Sequence, residues 1–259
     1  MSLVMTQVDH AIGTITLNHL QKRNALSKAL ITEIIATLDD FKQQKVRVVV
    51  LRAPAGVKIW SAGHDVRELP LTHRDPLGWD DPLRRLIREV EKYPAPVIAM
   101  VEGGVWGGAC EVVFACDLVV AANNATFAIT PAKLGVPYNM TGVLNFMNAS
   151  SRLIMREMIF TAQPISAARA EKFGMINGVV ETDELEGCVY ELAAQITQNA
   201  PLSIAVIKEE LRIMESAHSI TPLMFERIQG LRRVVYDSQD YQEGLTAFLE
   251  KRKPHFTGE

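Results

Sequence analysis

The sequence has 259 residues, of which 48% are hydrophobic and 22% are charged, proportions that are ordinary for a folded globular protein. A formal net charge of −3 excludes the strongly basic surface with which proteins bind nucleic acid or anionic membranes. The longest apolar run is interrupted by Glu111 and Asp117, so no stretch reaches the length of a membrane-spanning helix. The sequence therefore predicts neither a nucleic-acid partner nor a membrane partner.

The cysteine content indicates a reducing compartment. Cys110, Cys116 and Cys188 are odd in number and lack the spacing of metal ligands, which predicts free buried thiols and no metal site. The first residues do not show the basic region and apolar core of a secretory signal. We therefore expect a cytoplasmic protein.

In chain order, the first half of the sequence alternates short apolar strands with amphipathic helices. Ser27 is a predicted helix N-cap, and Leu30, Ile34, Leu38 and Phe41 fall on one face of the helix that follows it. Strands are predicted at residues 13–18 and 46–53, at the start of IWSAGHDVREL, and in PVIAMVEG, LVVAA and ATFAI. Helices are predicted in SKALITEIIATLDDFKQQ, DDPLRRLIREVEKY and GGACEVVFACD.

After Asn145 the pattern becomes almost wholly helical. Only residues 176–181 look like a strand, whereas Ser166 is placed to begin a helix and Gly174 to end one. Predicted helices occupy SRLIMREMIF, SAARAEKFG, DELEGCVYELAAQITQN, PLSIAVIKEELRIMES, PLMFERIQGLRRVVYD and SQDYQEGLTAFLEKRK. The prediction is an α/β core over residues 1–190 and a helical C-terminal region over residues 191–259.

Two glycine-rich segments could expose backbone amides to a ligand. Gly63 can take a conformation that turns the amide of His64 into a cleft. If a helix begins near Gly107 and Gly108, its first amides have no intrahelical partner and carry the positive end of the helix dipole. Two convergent amides, from His64 and Gly108, would form an oxyanion hole, with Glu111 one helical turn further on.

Each of these features also has a purely structural interpretation. The glycine pair could serve close packing of a helix on a strand, Glu111 could be a buried structural carboxylate, and His64 could be an inert turn residue. Residue spacing alone favours the structural interpretation for each of these features.

Several longer motifs resemble one family. The chain resembles the crotonase (enoyl-CoA hydratase/isomerase) superfamily along essentially its whole length. The resemblance lies in KRNAL (residues 22–26), SAGHD (61–65), VEGGVWGGACEVVFACDLVVAA (101–122), LGVPYNMTG (134–142), ISAARAEKFGMINGVV and AFLEKRKPHF. It implies a crotonase-type ββα spiral core in which the amides of His64 and Gly108 hold a CoA thioester oxygen while it becomes an enolate.

The sequence departs from the hydratases of this superfamily at one informative position. Those enzymes use two glutamates, of which the first aligns with Glu111, but Pro131 stands where the second should be. Proline cannot transfer a proton, and adding water across a double bond needs a positioned acid or base. IWSAGHDVRELP, DDPLRRL, TPAKLGVPYNMTG and FLEKRKPHF instead resemble the branch that converts methylmalonyl-CoA to propionyl-CoA and CO₂ without biotin.

This resemblance implies distinct roles for the polar residues of the site. Decarboxylation of a malonyl thioester needs an oxyanion hole and a carboxylate turned out of the thioester plane, and no base to start it. Tyr138 is the candidate that orients the carboxylate, and Thr130 is a second polar contact. Glu111 could protonate the enolate, hold a water that does so, or brace the site. Because a charged Glu111 would repel the substrate carboxylate, we expect it to be neutral or paired with a neighbour.

The CoA moiety is expected to bind along one cleft. By resemblance, its contacts are Lys22, the segment Ala62, Gly63, His64, Asp65 and Val66, then Gly108 and Thr130, and finally Lys251 near the C-terminus. Lys251 also has a structural alternative as a solvated helix end. The resemblance further implies a homotrimer or homohexamer and no cofactor besides the CoA that the substrate brings.

Two other functions remain open at this stage. One is a different activity of the superfamily, enoyl-CoA hydratase or isomerase, against which Pro131 argues. The other is a catalytically silent crotonase fold that binds a partner, including RNA. The negative net charge argues against RNA, and the intact SAGHD and GGACE motifs argue against silence.

Overall fold

The fold, taken from a computed structural model that describes residues 2–70 and 75–259, combines two β-sheets with ten α-helices in that part of the chain. The larger sheet has the strand order β1-β2-β3-β5-β7-β10, and only its β1–β2 pair is antiparallel. The smaller sheet has the order β4-β6-β8-β9, with β9 antiparallel to β8. The strands are β1 (Val4–Asp9), β2 (Ile12–Leu17), β3 (Val48–Arg52), β4 (Ile59–Ser61), β5 (Val97–Val101), β6 (Gly104–Trp106), β7 (Leu118–Ala122), β8 (Thr126–Ala128), β9 (Ile165–Ser166) and β10 (Gly178–Val180).

The helices connect the sheets and then form the C-terminal part of the chain. They are α1 (Lys28–Gln43), α2 (Pro82–Lys92), α3 (Gly108–Phe114), α4 (Met140–Ala149), α5 (Arg152–Thr161), α6 (Ala167–Lys172), α7 (Leu185–Thr197), α8 (Pro201–Glu215), α9 (Pro222–Tyr236) and α10 (Gln239–Leu249). No helix in the described ranges is both long enough and apolar enough to span a bilayer.

The chain winds through the two sheets in repeated strand–strand–helix turns. β3 of the large sheet leads to β4 of the small sheet and then to α2, and β5, β6 and α3 repeat the sequence. β7 and β8 begin a third turn. Because equivalent strands pair in parallel, the segments that follow β4 and β6 lie side by side. These two segments contain Gly63 and Gly107, so the spiral brings the two predicted amide donors together.

Both faces of the large sheet are buried, which explains the nearly continuous apolar sequence of its central strands. On one face, side chains of β3, β5 and β7 pack on Leu185 and Val189 of α7. The opposite face packs on α1, through Leu30 and Ile34, and on the elements of the small sheet. The small sheet shares this core, and the cleft is built at the ends of its strands β4 and β6.

The predicted elements are largely confirmed, with four omissions. Ser27 caps α1 by accepting a hydrogen bond from the amide of Leu30, Ser166 caps α6 in the same way, and Gly174 follows α6 with φ +70°. β1, β6, β9 and α4 were not predicted from the sequence. Cys110 and Cys116 are free and buried as expected, whereas Cys188 is free but only half-buried.

The helical C-terminal part differs from the core in its exposure. α8 and α9 carry exposed apolar side chains, among them Leu202, Val206, Leu223 and Val234. α10 instead packs through Tyr241 and the other members of a small apolar cluster against the loop after β8. The predicted domain division after residue 190 falls inside α7, so a division of the chain into core and helical region stays a prediction.

Candidate active site

A cleft of about 900 Å³ lies between the loops after β4, β6 and β8 and the end of α10. Most of the residues predicted for the site lie on its wall. Those that line it are Lys22, Ala62, His64, Asp65, Val66, Gly108, Thr130, Tyr138 and Lys251. Gly63 and Glu111 are buried behind the wall. Pro131, which the sequence resemblance aligns with the second glutamate of the hydratases, also lines the cleft.

The turn after β4 brings the amide of His64 next to the start of α3. Gly63 has φ +84°, and a Cβ built there would lie 2.3 Å from the carbonyl oxygen of Trp106 and 3.0 Å from the amide nitrogen of Gly108. A Cβ built on Gly108 would lie 3.5 Å from the amide nitrogen of His64. Neither amide donates to a backbone carbonyl elsewhere in the described residues. Two neighbouring amides without carbonyl partners are what an oxyanion hole requires.

Gly107 sets the beginning of α3. It has φ +57°, a backbone conformation that favours glycine, and its amide donates to the carbonyl of Ala128. The helix then starts at Gly108, as the sequence predicted. A Cβ on Gly107 would lie 2.9 Å from Oγ1 of Thr130, which places the Thr130 hydroxyl against the same turn.

Glu111 is paired with Arg84. A Glu111 paired with a neighbour was one of the two states that the sequence led us to expect. Nη1 of Arg84 donates to Oε1 of Glu111, and both side chains are almost completely buried. Burial raises the pKa of Glu111, and the guanidinium of Arg84 partly opposes that rise. A Cβ built on Gly142 of α4 would lie 2.9 Å from the same Oε1. The carboxylate therefore lies behind the cleft, where α2, α3 and α4 meet.

Tyr138 lines the cleft and carries a buried hydroxyl that no other described residue uses. Its ring stacks edge-on against Phe146, with a centroid separation of 4.9 Å, and its buried hydroxyl has no hydrogen-bond partner among the described residues. Buried tyrosine hydroxyls usually have a partner. Burial raises the pKa of Tyr138 well above 10.0, so the hydroxyl keeps its proton and remains a donor.

The side chain of His64 makes two contacts with oxygen atoms. Nε2 lies 3.1 Å from Oδ2 of Asp81, and Nδ1 lies 3.2 Å from the carbonyl oxygen of Asp65. Burial lowers the pKa of His64, but the hydrogen bond and charge of Asp81 outweigh burial and leave that pKa raised above 6.5. Oδ1 of Asp81 also accepts from the amide of Arg84 and thereby caps α2.

The outer part of the cleft is positively charged. Nζ of Lys22 lies 3.5 Å from Oδ2 of Asp65, whose pKa is lowered by hydrogen bonds from Arg67 and by the charge of Lys22 despite its burial. Lys251, with φ +58°, also lines the cleft. Arg252 lines the cleft beside it but is held by Glu243 and Glu250.

Sequence reasoning missed the residues of α2 that support the site. The buried Arg84 is the partner of Glu111, and Asp81 is the partner of His64. A signal for Arg84 was its position at the edge of the apolar face formed by Leu83 and Ile87. No cluster of three or more potential metal ligands occurs in residues 2–70 and 75–259.

Comparison with known proteins agrees with this geometry. The family model described as enoyl-CoA hydratase/isomerase matches residues 7–259. The fold and site define an α/β protein whose cleft ends in paired backbone amides, and the chain belongs to the enoyl-CoA hydratase/isomerase family, with the crotonase fold.

Two kinds of relative are similar over nearly the whole chain. Methylmalonyl-CoA decarboxylase of Escherichia coli strain K12 is 52% identical over 247 residues, which cover 95% of each chain. A solved methylmalonyl-CoA decarboxylase in complex with 2-nitronate-propionyl-CoA superimposes with a TM-score of 0.98 at 50% identity and covers 99% of each chain. The short-chain-enoyl-CoA hydratase of Clostridium acetobutylicum is 28% identical over 251 residues, covering 96% of this chain and 95% of its own.

Proposed function

We propose that the protein decarboxylates methylmalonyl-CoA to propionyl-CoA and CO₂ without biotin, through a thioester enolate. The observation on which this proposal mainly rests is the pair of adjacent amides of His64 and Gly108 in a cleft lined by Tyr138, whose buried hydroxyl has no partner among the described residues. The 52% identity to the Escherichia coli decarboxylase supports this activity over the hydratase activity of the more distant relative.

In the proposed mechanism, the two amides stabilise the negative charge that remains on the thioester oxygen when CO₂ leaves. The carbon–carbon bond to the carboxylate breaks, its electrons form the enolate, and the thioester oxygen gains charge. Donors that are already oriented stabilise that charge without reorganisation, and each is worth about 3–4 kcal/mol of barrier. The enolate then takes a proton at carbon and gives propionyl-CoA.

Tyr138 and Thr130 have the positions needed to direct the carboxylate. The Tyr138 hydroxyl keeps its proton and has no acceptor among the described residues, and Thr130 lies against Gly107 at the start of α3. A donor on one side of the cleft holds the carboxylate out of the thioester plane, where its breaking bond overlaps the carbonyl π system. The apolar surroundings of Tyr138, including Phe146, offer the charged group little solvation.

The hydratase alternative is disfavoured by the wall of the cleft. Pro131 faces the cleft in place of an acid or base. Glu111 is buried, and its Oε1 is used by Arg84. Of the three roles that the sequence left open for Glu111, these contacts favour bracing the site.

Replacing Tyr138 by Phe tests the assigned carboxylate contact. The change removes one hydrogen bond to a charged group, worth about 1.5–3 kcal/mol, so we expect kcat for CO₂ release to fall roughly 10- to 100-fold. Tyr190→Phe is the matched control, because the Tyr190 hydroxyl contacts Thr14 instead of the cleft. Equal turnover in the two variants would remove Tyr138 from the mechanism.

CoA phosphates are proposed to bind at the positively charged outer cleft, with Lys251 as a contact. Lys251→Ala should raise KM about two- to fivefold and leave kcat nearly unchanged, since an exposed ion pair contributes at most about 1 kcal/mol. Lys253→Ala is the control, because Lys253 is exposed and does not line the cleft. If both variants change KM equally, the contact is a general charge effect.

The exposed apolar side chains of α8 and α9 support a further part of the proposal, a homotrimer or homohexamer with the helical C-terminal region at its interfaces. Sedimentation of the full chain measures this directly. A cytoplasmic location is retained as a prediction and is consistent with the free thiols of Cys110 and Cys116.

A further inference from the structure

In the described part of the chain, both ring nitrogens of His64 face hydrogen-bond acceptors. Nδ1 faces the carbonyl oxygen of Asp65 at 3.2 Å, and Nε2 faces the carboxylate of Asp81 at 3.1 Å. A carbonyl oxygen and an ionised carboxylate accept hydrogen bonds and do not donate them. A neutral imidazole has one N–H group and can satisfy only one of these contacts. Both contacts are satisfied together when both ring nitrogens carry hydrogen.

The charged groups around His64 favour the same form. Its side chain is 14% exposed and that of Asp81 is 9% exposed. Glu68 adds attraction at longer range, whereas the carboxylate of Asp65 is turned towards Lys22 and Arg67. Arg84 of α2, the nearest buried cation on that helix, is paired with Glu111 of α3.

Asp81 and Arg84 connect the first turn of α2 to both halves of the oxyanion hole. Asp81 holds the side chain of His64, whose own amide is one donor, and its other oxygen caps α2 at the amide of Arg84. Arg84 in turn holds Glu111, one helical turn after Gly108, the second donor. The first turn of α2 and its cap therefore contact both amide-bearing segments, which the pairing of β4 with β6 and backbone hydrogen bonds to Leu26 also hold.

We propose that Asp81 is a positioning residue that holds His64 as an imidazolium ion and thereby fixes the His64 amide beside that of Gly108. This inference deepens the proposed decarboxylation, and its kinetic consequences rest on that function. The side chain of His64 acts here through its own backbone. Backbone hydrogen bonds to Leu26 hold the segment from Gly63 to Asp65, and loss of the His64 ring proton breaks one of the two side-chain contacts that add to them. Turnover then falls as the pH rises through the pKa of His64.

Asp81→Asn tests this proposal, because asparagine keeps the helix cap and removes the negative charge. Asp80→Asn is the matched control: it makes the same charge change at the adjacent, exposed position. ¹⁵N NMR of the histidine rings, assigned with His64→Gln, should show both ring nitrogens of His64 protonated at pH 7 in the wild type and in Asp80→Asn. In Asp81→Asn the ring should be neutral, because burial then lowers the pKa of His64 without opposition from Asp81.

The kinetic result separates a positioning role from a purely structural one. We expect kcat of Asp81→Asn to fall roughly 10- to 100-fold at pH 7 with KM little changed, and to recover at lower pH as the ring is protonated again. The amide resonances of His64 and Gly108 should move in Asp81→Asn and not in Asp80→Asn. A singly protonated wild-type ring at pH 7, unmoved amide resonances, or equal turnover of the two variants would overturn the proposal. If the wild type releases no CO₂, the proposed function fails, while the ring and amide spectra still decide this inference.

Discussion

Gly63→Ala should nearly abolish turnover and strongly destabilise the fold. The new Cβ would lie 2.3 Å from the Trp106 carbonyl oxygen and 3.0 Å from the Gly108 amide nitrogen, both backbone atoms that cannot rotate away. The left-handed φ of +84° adds strain for any residue with a Cβ. We expect a loss of about 2–5 kcal/mol in the free energy of unfolding and at least about a hundredfold loss of kcat.

Gly56→Ala separates the two contributions to that loss. Gly56 has a similar φ of +77°, but a Cβ there meets nothing within 4 Å. This control should therefore lose only about 1–2 kcal/mol of unfolding free energy, because of the backbone strain, and keep its kcat. Denaturant unfolding and steady-state kinetics of both variants measure the difference. If Gly63→Ala behaves like Gly56→Ala, the close contact between the two amide-bearing turns is not needed for function.

Arg84→Met should be the most damaging change behind the cleft. It leaves Glu111 buried without its cation, and breaking a buried ion pair from one side costs about 3–5 kcal/mol. The pKa of Glu111 is already raised by burial, and removing Arg84 raises it further. A carboxyl with a raised folded-state pKa binds protons more tightly when folded. The stability deficit is therefore largest at high pH and shrinks as the pH falls towards 4.5.

The double variant Arg84→Met with Glu111→Gln is the decisive control for this pair. Removing both charges should recover most of the stability lost in Arg84→Met, since no uncompensated charge remains. Glu111→Gln alone separates bracing from acid catalysis, because glutamine preserves the shape but cannot supply the proton. Full activity in Glu111→Gln would exclude an acid role, whereas a loss of kcat with unchanged stability would argue against simple bracing.

The sequence predicted local features of the site better than contacts between elements. The glycines at positions 63 and 108 could be interpreted because turn geometry and helix starts depend on nearby residues. The place of Pro131 could also be predicted from the sequence, since it lies between the strand ATFAI and the motif LGVPYNMTG. The pairs His64–Asp81 and Arg84–Glu111 were missed because each depends on where α2 packs against two other segments. Periodicity within α2 does not determine that orientation.

The elements that were missed have similar physical explanations. β1 (VMTQVD) is exposed after Val4 and lacks the regular apolar alternation that identifies a strand. α4 begins in a motif that was interpreted chemically, and its cap, Asn139 accepting from the amide of Gly142, was the available signal. β6 has only three residues and is defined by its pairing with β4 and β8. β9 has only two residues and is defined by its pairing with β8.

The most direct test of the proposed function compares two reactions on one preparation. CO₂ release from methylmalonyl-CoA is measured beside hydration of crotonyl-CoA, with propionyl-CoA identified as the product of the first. The paired amides, the Tyr138 hydroxyl and Pro131 predict rapid CO₂ release and negligible hydration. Hydration without CO₂ release would contradict the proposal and would require Glu111 to act with a second acid or base in the cleft.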